Sequence, residues 1–168
     1  MRRARVVFIL VTLLVTSSFP LVSSSEGRAT VCETIDMGSM PDPIIISDQD
    51  CRQISLGILA QGTIVEFEVT GNTNFDFLVF RNAALQAYAN DQSYRSSVYW
   101  AEETVFEDMV GSARWHWTVP TDEDEKNWYV VLDNLNHSGD DDQGAQGGST
   151  LQVSLDISFP TQSYWTMH

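Results

Sequence analysis

Apolar and polar side chains alternate through several segments of this chain. The longest such segment is 151–159, where five apolar residues occupy every second position. Residues 65–69 alternate in the same way, with two glutamates between the apolar side chains. Alternation with a period of two places all apolar side chains on one face of a β-strand, whereas a helix would scatter them around its axis. The pattern therefore restricts the chain to sheet structure.

Further strands are predicted where short β-branched or aromatic runs lie between turn residues. The predicted strands are 44–46, 54–58, 65–69, 75–80, 98–100, 115–119, 128–132 and 151–159. Residues 105–106 stay ambiguous between strand and loop. The turn cluster 71–74 predicts a hairpin formed by 63–80. Only 81–92 has helical composition, which predicts one short helical crossing between strands.

Strands of even spacing, separated by Gly, Asn, Asp and Pro, are typical of antiparallel sandwiches. Strand–helix–strand alternation is missing from the sequence, which disfavours a parallel sheet. We therefore predict an all-β fold, an antiparallel β-sandwich of jelly-roll type with about eight strands.

The first 25 residues have the pattern of a secretory signal. Three arginines precede the apolar run 6–15, and three serines ending at Ser25 offer a cleavage site. The alternative is a retained membrane anchor, but hydroxyl residues and a proline dilute 6–22, and a spanning helix needs about 20 apolar residues. We predict a signal peptide at 1–25 that forms a signal helix and is cleaved, with no membrane span afterwards.

Charge narrows the set of partners. Cleavage after Ser25 removes three of nine basic residues and none of the 23 acidic ones, so the net charge falls from −14 to −17. Nucleic acids and anionic membrane surfaces need clustered Lys and Arg, so neither is an expected partner. The exported chain is expected to be secreted or to lie at the extracellular surface, where a protein or a glycan would be its partner.

Cys32 and Cys51 are the only cysteines. In an oxidising compartment an even count suggests a disulfide, which here would close 18 intervening residues and contribute about 3 kcal/mol. Two unpaired buried thiols are the alternative, and the spacing does not suit a metal. The predicted organisation after the signal is a disulfide-tied segment at 26–52, the sandwich at 53–160 and a tail at 161–168.

One part of the chain shows a family resemblance. It contains the turn 62–63, the strand 72–80, an aromatic strand closed by 119–121, and the run WYVVLDN at 128–134. In this order the segments resemble secreted jelly-roll modules of the pre-peptidase C-terminal type and the related lumenal β-sandwich of the GOLD type. The resemblance covers about half of the mature chain.

Asp76 and the run 129–134 are the positions that match the motifs of these modules. The resemblance implies a sandwich fold and a role as an appendage of exported enzymes or of cargo-binding proteins. The 168 residues contain no catalytic domain or transmembrane tail of the kind those proteins carry. The resemblance therefore supports the fold and leaves the activity open.

The chain contains no nucleophile elbow, zinc-protease motif or phosphate-binding loop. A triad assembled in three dimensions stays open, and His116 on a polar strand face is its candidate base. Glu66 and Glu68 would lie about 6.5–7 Å apart on one strand face, between the separations of retaining and inverting glycosidases. A solvated strand face is the simpler interpretation of this pair.

Three further candidate sites lie in loops and in the tail. Asp140 and Asp142 belong to an acidic, glycine-rich loop that could hold calcium, although a solvated loop is the simpler interpretation and no other cofactor is expected. Asn136 begins a glycosylation sequon whose use depends on the host. Tyr164 and Trp165 form an exposed aromatic candidate for binding, whereas Trp115 and Trp117 share one strand face and are expected to fill the core.

We therefore predict a secreted, non-catalytic binding module that recognises a protein or glycan through its end loops. The alternatives are a small secreted hydrolase using a carboxylate pair or a hidden triad, and a calcium-stabilised structural domain of a cell surface.

Overall fold

The structure is a computed structural model that describes residues 31–90, 94, 104–120, 127–135 and 148–160. The predicted signal peptide at 1–25, the strand at 98–100 and the tail at 161–168 lie outside these residues. The division into segments stays a prediction. Within the described residues, no helix is long and apolar enough to cross a membrane.

Nine strands, one α-helix and one short 3-10 turn make up the described residues. The elements are β1 Glu33–Ile35, the 3-10 turn Met37–Ser39, β2 Ile44–Ile46, β3 Cys51–Ile58, β4 Ile64–Gly71, β5 Phe75–Arg81, α1 Asn82–Ala89, β6 Val105–Met109, β7 Ser112–Thr118, β8 Asn127–Asp133 and β9 Leu151–Ser158. One sheet has the order β1-β3-β8-β5-β6 and the other β2-β9-β4-β7.

The strand order is that of a jelly roll. Strands β2 to β9 form two four-stranded layers, 2-9-4-7 and 3-8-5-6, in which every neighbouring pair is antiparallel. Strand β1 adds to this frame by pairing in parallel with the edge of β3. The predicted all-β antiparallel sandwich is confirmed, and β1 is the strand that the sequence did not reveal.

The predicted hairpin at 63–80 is wrong, because β4 and β5 lie in different sheets. β4 buries only every second side chain, which suits a sheet with one solvated face, whereas β5 is buried along its whole length. The turn between them does not close a ladder. The backbone N–H of Asn72 instead donates to the Gln152 carbonyl of β9 at 3.2 Å, which continues the β4–β9 ladder by one residue before the chain crosses to the other sheet.

The other local predictions that fall on the described residues agree with the structure. The helical crossing is present as α1, which is shorter than the predicted 81–92. The ambiguous residues 105–106 belong to β6. The predicted disulfide is confirmed, because Cys32 and Cys51 are joined at an S–S distance of 2.01 Å and tie the segment before β1 to the start of β3.

Aromatic rings fill the space between the two sheets. The ring of Trp115 lies 5.2 Å from Phe67 of its own sheet and 4.9 Å from Phe77 of the other. Trp117 packs edge-on against Trp128 across the same gap at 4.7 Å. As predicted, both β7 tryptophans point inward, but Trp117 is fully buried and Trp115 only half-buried.

A second apolar cluster lies on the outer face of the five-stranded sheet, where α1 covers it. Its members come from the disulfide, β5, β8 and α1, with Tyr94 added: Cys32, Cys51, Leu78, Phe80, Leu85, Tyr88, Tyr94 and Val131. This cover explains why β5 and the end of β8 are buried on both faces.

Gly71 makes the crossing between the sheets possible, because a Cβ at this position would overlap the buried ring of Phe75. We expect Gly71→Ala to lower the free energy of unfolding by about 1–3 kcal/mol, the usual cost of overpacking a core. Urea denaturation measures this loss. Gly38→Ala is the control, since its Cβ would meet only the exposed carboxylate of Asp36 at 3.2 Å, and an equal loss in both variants would contradict the explanation.

Candidate functional site

Four connections between strands, β2–β3, β4–β5, β6–β7 and β8–β9, lie at one end of the sandwich. The register Ile46↔Leu151 aligns the strand ends of one sheet, and the registers Cys51↔Asp133, Asp76↔Asp133 and Phe75↔Met109 align those of the other. Hydrogen bonds from Asn134 to Ser47 and Ser149 join the two sheets at this end. We call this region the loop end. It consists of 47–50, 72–74, 110–111, 134–135 and 148–150.

Asn134 joins three of these segments. Its side chain is fully buried, and its amide nitrogen donates to the carbonyl oxygens of Ser47 and Ser149, both at 2.9 Å. Its backbone N–H donates to the carbonyl of Asp50 at 3.1 Å. Buried polar groups left without partners are costly, so these bonds hold the β2–β3 turn against the end of β8 and the start of β9.

The long connection between β8 and β9 is fixed at both of its described ends. The backbone N–H of Leu135 donates to the Asp133 carboxylate at 2.7 Å, and that of Gly148 donates to the Asp48 carboxylate at 2.5 Å. Residues 136–147 between them lie outside the described residues, and their sequence carries three aspartates and three glycines. A glycine-rich acidic connection thus leaves and rejoins the sandwich at fixed points.

A second set of side chains ties the remaining turns of the loop end. The side-chain oxygen of Asn72 accepts from the Gln152 backbone at 2.8 Å. Asn74 donates to the Asp108 carboxylate at 2.5 Å, and the Asp108 backbone N–H donates to Asp76 at 2.7 Å. Asp108 has a φ of 56°, in the left-handed region, and the Asp76 carboxylate stabilises this irregular position of β6 by accepting from the Asp108 backbone.

The described loop end is acidic. Asp48 and Asp50 carry its negative charge, Asp108 lies next to it in β6, and Arg52 is the one basic side chain of the described residues next to it. Arg52 is already engaged, because it contacts Asp50 at 2.5 Å and Glu33 at 3.2 Å. The field at this end therefore favours ligands that carry positive charge.

The calcium candidates Asp140 and Asp142 lie outside the described residues, so a calcium site in that loop stays a prediction. Among the residues that the structure describes, no group of three or more His, Cys, Asp or Glu side chains could hold a metal ion. Asn136, Tyr164 and Trp165 also lie outside these residues, and their proposed roles stay predictions.

The carboxylate pair considered for hydrolysis lies on the outer face of the four-stranded sheet. Glu66 and Glu68 both face the guanidinium of Arg114, at 3.6 and 3.9 Å. The side chains of Glu66 and Glu68 are 37% and 64% exposed. The arrangement is that of a charged strand face, not of two carboxylates across a scissile bond.

The same face contains a serine, a glutamate and a histidine in one row across three strands. The registers place Glu66 opposite both Ser158 and His116. Glu66 is therefore in the middle of the row, and Ser158 and His116 are two strand spacings apart, about 9–10 Å. A triad needs the histidine between nucleophile and acid, so this row does not form one.

Tyr88 is a buried residue of α1 and lies close to two buried aspartates of neighbouring strands, Asp76 and Asp133. Burial raises the pKa of the Tyr88 hydroxyl well above its usual value of 10.0, and the negative charges of Asp133 and Asp76 raise it further. The folded state thus holds Tyr88 neutral.

This raised pKa predicts alkaline sensitivity. Below about pH 10 Tyr88 is protonated in both the folded and the unfolded chain, whereas above it only the unfolded chain loses the proton. The free energy of unfolding should therefore fall more steeply above pH 10 in the wild type than in Tyr88→Phe. Urea denaturation across this range measures both slopes, and parallel curves would contradict the prediction.

Asn134 allows a direct test of the loop end. Asn134→Asp keeps the size of the side chain but replaces its amide donors by a carboxylate that faces two carbonyl oxygens. We expect a loss of about 2–4 kcal/mol in the free energy of unfolding, measured by urea denaturation. Asn90→Asp is the matched control, because the exposed Asn90 amide makes one bond, to the Gln86 carbonyl at 2.7 Å.

The sequence placed the candidate site among the end loops but did not reveal Asn134 or Asn72. Asn72 lies in the turn between β4 and β5, and Asn134 directly follows β8, so both look like ordinary turn residues. The side chain of Asn134 forms a hydrogen bond with the carbonyl of Ser47, 87 positions away. Nothing in the local pattern shows such partners.

No family model and no curated protein matches this chain. A comparison with solved structures finds two that are similar to this chain at a low level. PliG of Aeromonas hydrophila, a periplasmic inhibitor of g-type lysozyme, is 13% identical over 76% of this chain and 100% of its own, with a TM-score of 0.35. CorA of Methylomicrobium album BG8, a surface-associated copper-binding protein, is 10% identical over 79% of this chain and 99% of its own, with a TM-score of 0.39. At TM-scores below 0.5, neither protein's ligand is transferred to this chain.

Proposed function

We propose that this chain is a secreted, non-catalytic binding module that holds a partner protein with a basic surface at its loop end. The observation that carries the proposal is the Asn134 junction, which joins the β2–β3 connection to both ends of the β8–β9 connection and fixes the base of an acidic loop. Loops held in place before binding lose less conformational entropy on association. The disulfide fits an exported protein, because such bonds persist in oxidising compartments.

A protein partner suits the site better than a glycan. Glycan sites commonly offer exposed aromatic rings for stacking, but the tryptophans of the described residues are buried or half-buried between the sheets. The loop end offers carboxylates and amides instead, and these complement lysine and arginine side chains. A hydrolase is the weaker candidate, because Glu66 separates Ser158 from His116 in the row they share.

The proposal predicts that neutralising the loop abolishes binding. A variant with Asp140→Asn, Asp141→Asn and Asp142→Asn should no longer retain the partner that immobilised wild-type protein captures from the secreted and surface fraction of the producing cells. Quantitative mass spectrometry of the eluted proteins measures the retention.

The control makes the same change in charge elsewhere. Glu66→Gln, Glu68→Gln and Asp156→Asn remove three negative charges from the outer sheet face, and this variant should retain the partner as the wild type does. Equal loss in both variants would show general charge attraction and refute a loop-end site. Full retention by the loop variant would refute it as well.

A further inference from the structure

Strand β7 is the longest regular edge of the sandwich within the described residues. Four strands lie at sheet edges: β1, β2, β6 and β7. β1 and β2 are three residues long each, and the ladder of β6 is interrupted next to Asp108, where φ is 56°. β7 keeps an unbroken register with β4 over seven residue pairs. Short or bulged edges resist further pairing, and a long regular edge does not.

The backbone of β7 has a defined open side. At one end of the β4–β7 ladder the N–H of Val119 donates to the Thr63 carbonyl, and at the other the carbonyl of Gly111 accepts from Gly71, both at 2.9 Å. Odd-numbered residues therefore bond toward β4. Hydrogen bonding alternates along an antiparallel strand, so the even-numbered residues 112–118 direct their N–H and C=O groups away from β4. No described strand lies on that side.

The side chains of β7 define which strand would fit there. On the outer face Arg114 is 70% exposed, His116 and two hydroxyl residues accompany it, and β7 has no acidic residue. On the inner face Trp115 is only half-buried, with its ring 4.8 Å from that of Phe106. An added strand would place acidic side chains opposite Arg114 and apolar side chains beside Trp115.

A second copy of β7 fits this edge poorly. In antiparallel pairing of two β7 strands, outer-face residues of one copy lie opposite outer-face residues of the other. Arg114 would therefore meet only basic or hydroxyl side chains of the copy. The guanidinium carries five N–H donors, and its contacts with Glu66 and Glu68 are long, at 3.6 and 3.9 Å. A further carboxylate from another chain can therefore bind to it.

We propose that the β7 edge binds an extended segment of a partner protein, added as an antiparallel strand in which apolar residues alternate with acidic ones. This surface is separate from the loop end, so the inference goes beyond the proposed function and can fail independently of it. Main-chain hydrogen bonds supply the affinity of such strand addition, and alternate side chains supply its specificity.

A peptide copied from β4 tests the proposal. Residues 63–71, TIVEFEVTG, have the required pattern, with glutamates at 66 and 68 between apolar side chains. The β7 residues with open N–H and C=O groups, such as Arg114, have their side chains on the outer face. In an antiparallel pair, two residues that exchange hydrogen bonds have their side chains on the same face. If the two glutamates lie on the outer face opposite these residues, their N–H groups therefore point at β7. Titration of the full mature protein with the labelled peptide, followed by fluorescence anisotropy, measures binding.

Two N-methylated peptides provide the decisive comparison without altering the protein. Methylation of the nitrogens at 66 and 68 should abolish binding, and methylation at 67 and 69 should leave it unchanged. No binding of the unmodified peptide, or equal binding of both methylated forms, would overturn the proposal.

Variants of the protein test the charge. Arg114→Glu should weaken binding of the unmodified peptide about fivefold, and a peptide with lysine at 66 and 68 should recover that loss. Ser154→Glu is the control, because it adds an acid on the same face but two strands away from β7. Equal weakening by both variants would overturn the assignment of the edge.

Discussion

The two sheets exist only because each covers the apolar face of the other. The alternation of apolar and polar side chains gives the four-stranded sheet one apolar face. That face would be exposed to water without the five-stranded sheet opposite it. The aromatic contacts of Trp115 with Phe67 and Phe77 lie in this gap and join both layers. The outer face of the five-stranded sheet is apolar as well, so α1 and the disulfide segment must cover it, whereas the polar outer face of the other sheet can meet water.

The loop end follows from the same constraint. Strands that cross repeatedly between two layers bring turns from distant parts of the chain to one end, and the backbone groups there need partners. Asn134 supplies them for three segments with one buried side chain. The same residue that stabilises the fold therefore joins the two described ends of the candidate binding loop, which links stability to the proposed function.

Many elements could be predicted from the sequence because their information is local. The alternation of β9, the run of β8 and the helical composition of α1 each identify an element without reference to the rest of the chain. The disulfide was predictable because two cysteines allow only one pairing. The hairpin of β4 and β5 was predicted wrongly, because a turn cluster between two strands looks the same whether the chain returns in its own sheet or crosses to the other.

The candidate site was predictable only as a region. Acidic and glycine-rich residues at 136–147 indicate an exposed loop, but the residues that fix its base come from 47–50, 134–135 and 148–150. In the same way, the sequence marks β7 as a strand but does not show that it lies at an edge, since that depends on strand order.

By itself the sequence determined most of the strands, the buried face of those with alternating side chains, and which cysteines pair. Side-chain alternation is a local signal, and two cysteines allow only one pairing. Only the tertiary structure decided which strands are neighbours, which edge is left open and which amide joins the loops. These depend on contacts between residues far apart in the chain, whose pairing is set by the mutual burial of two sheets and leaves no mark in any local pattern.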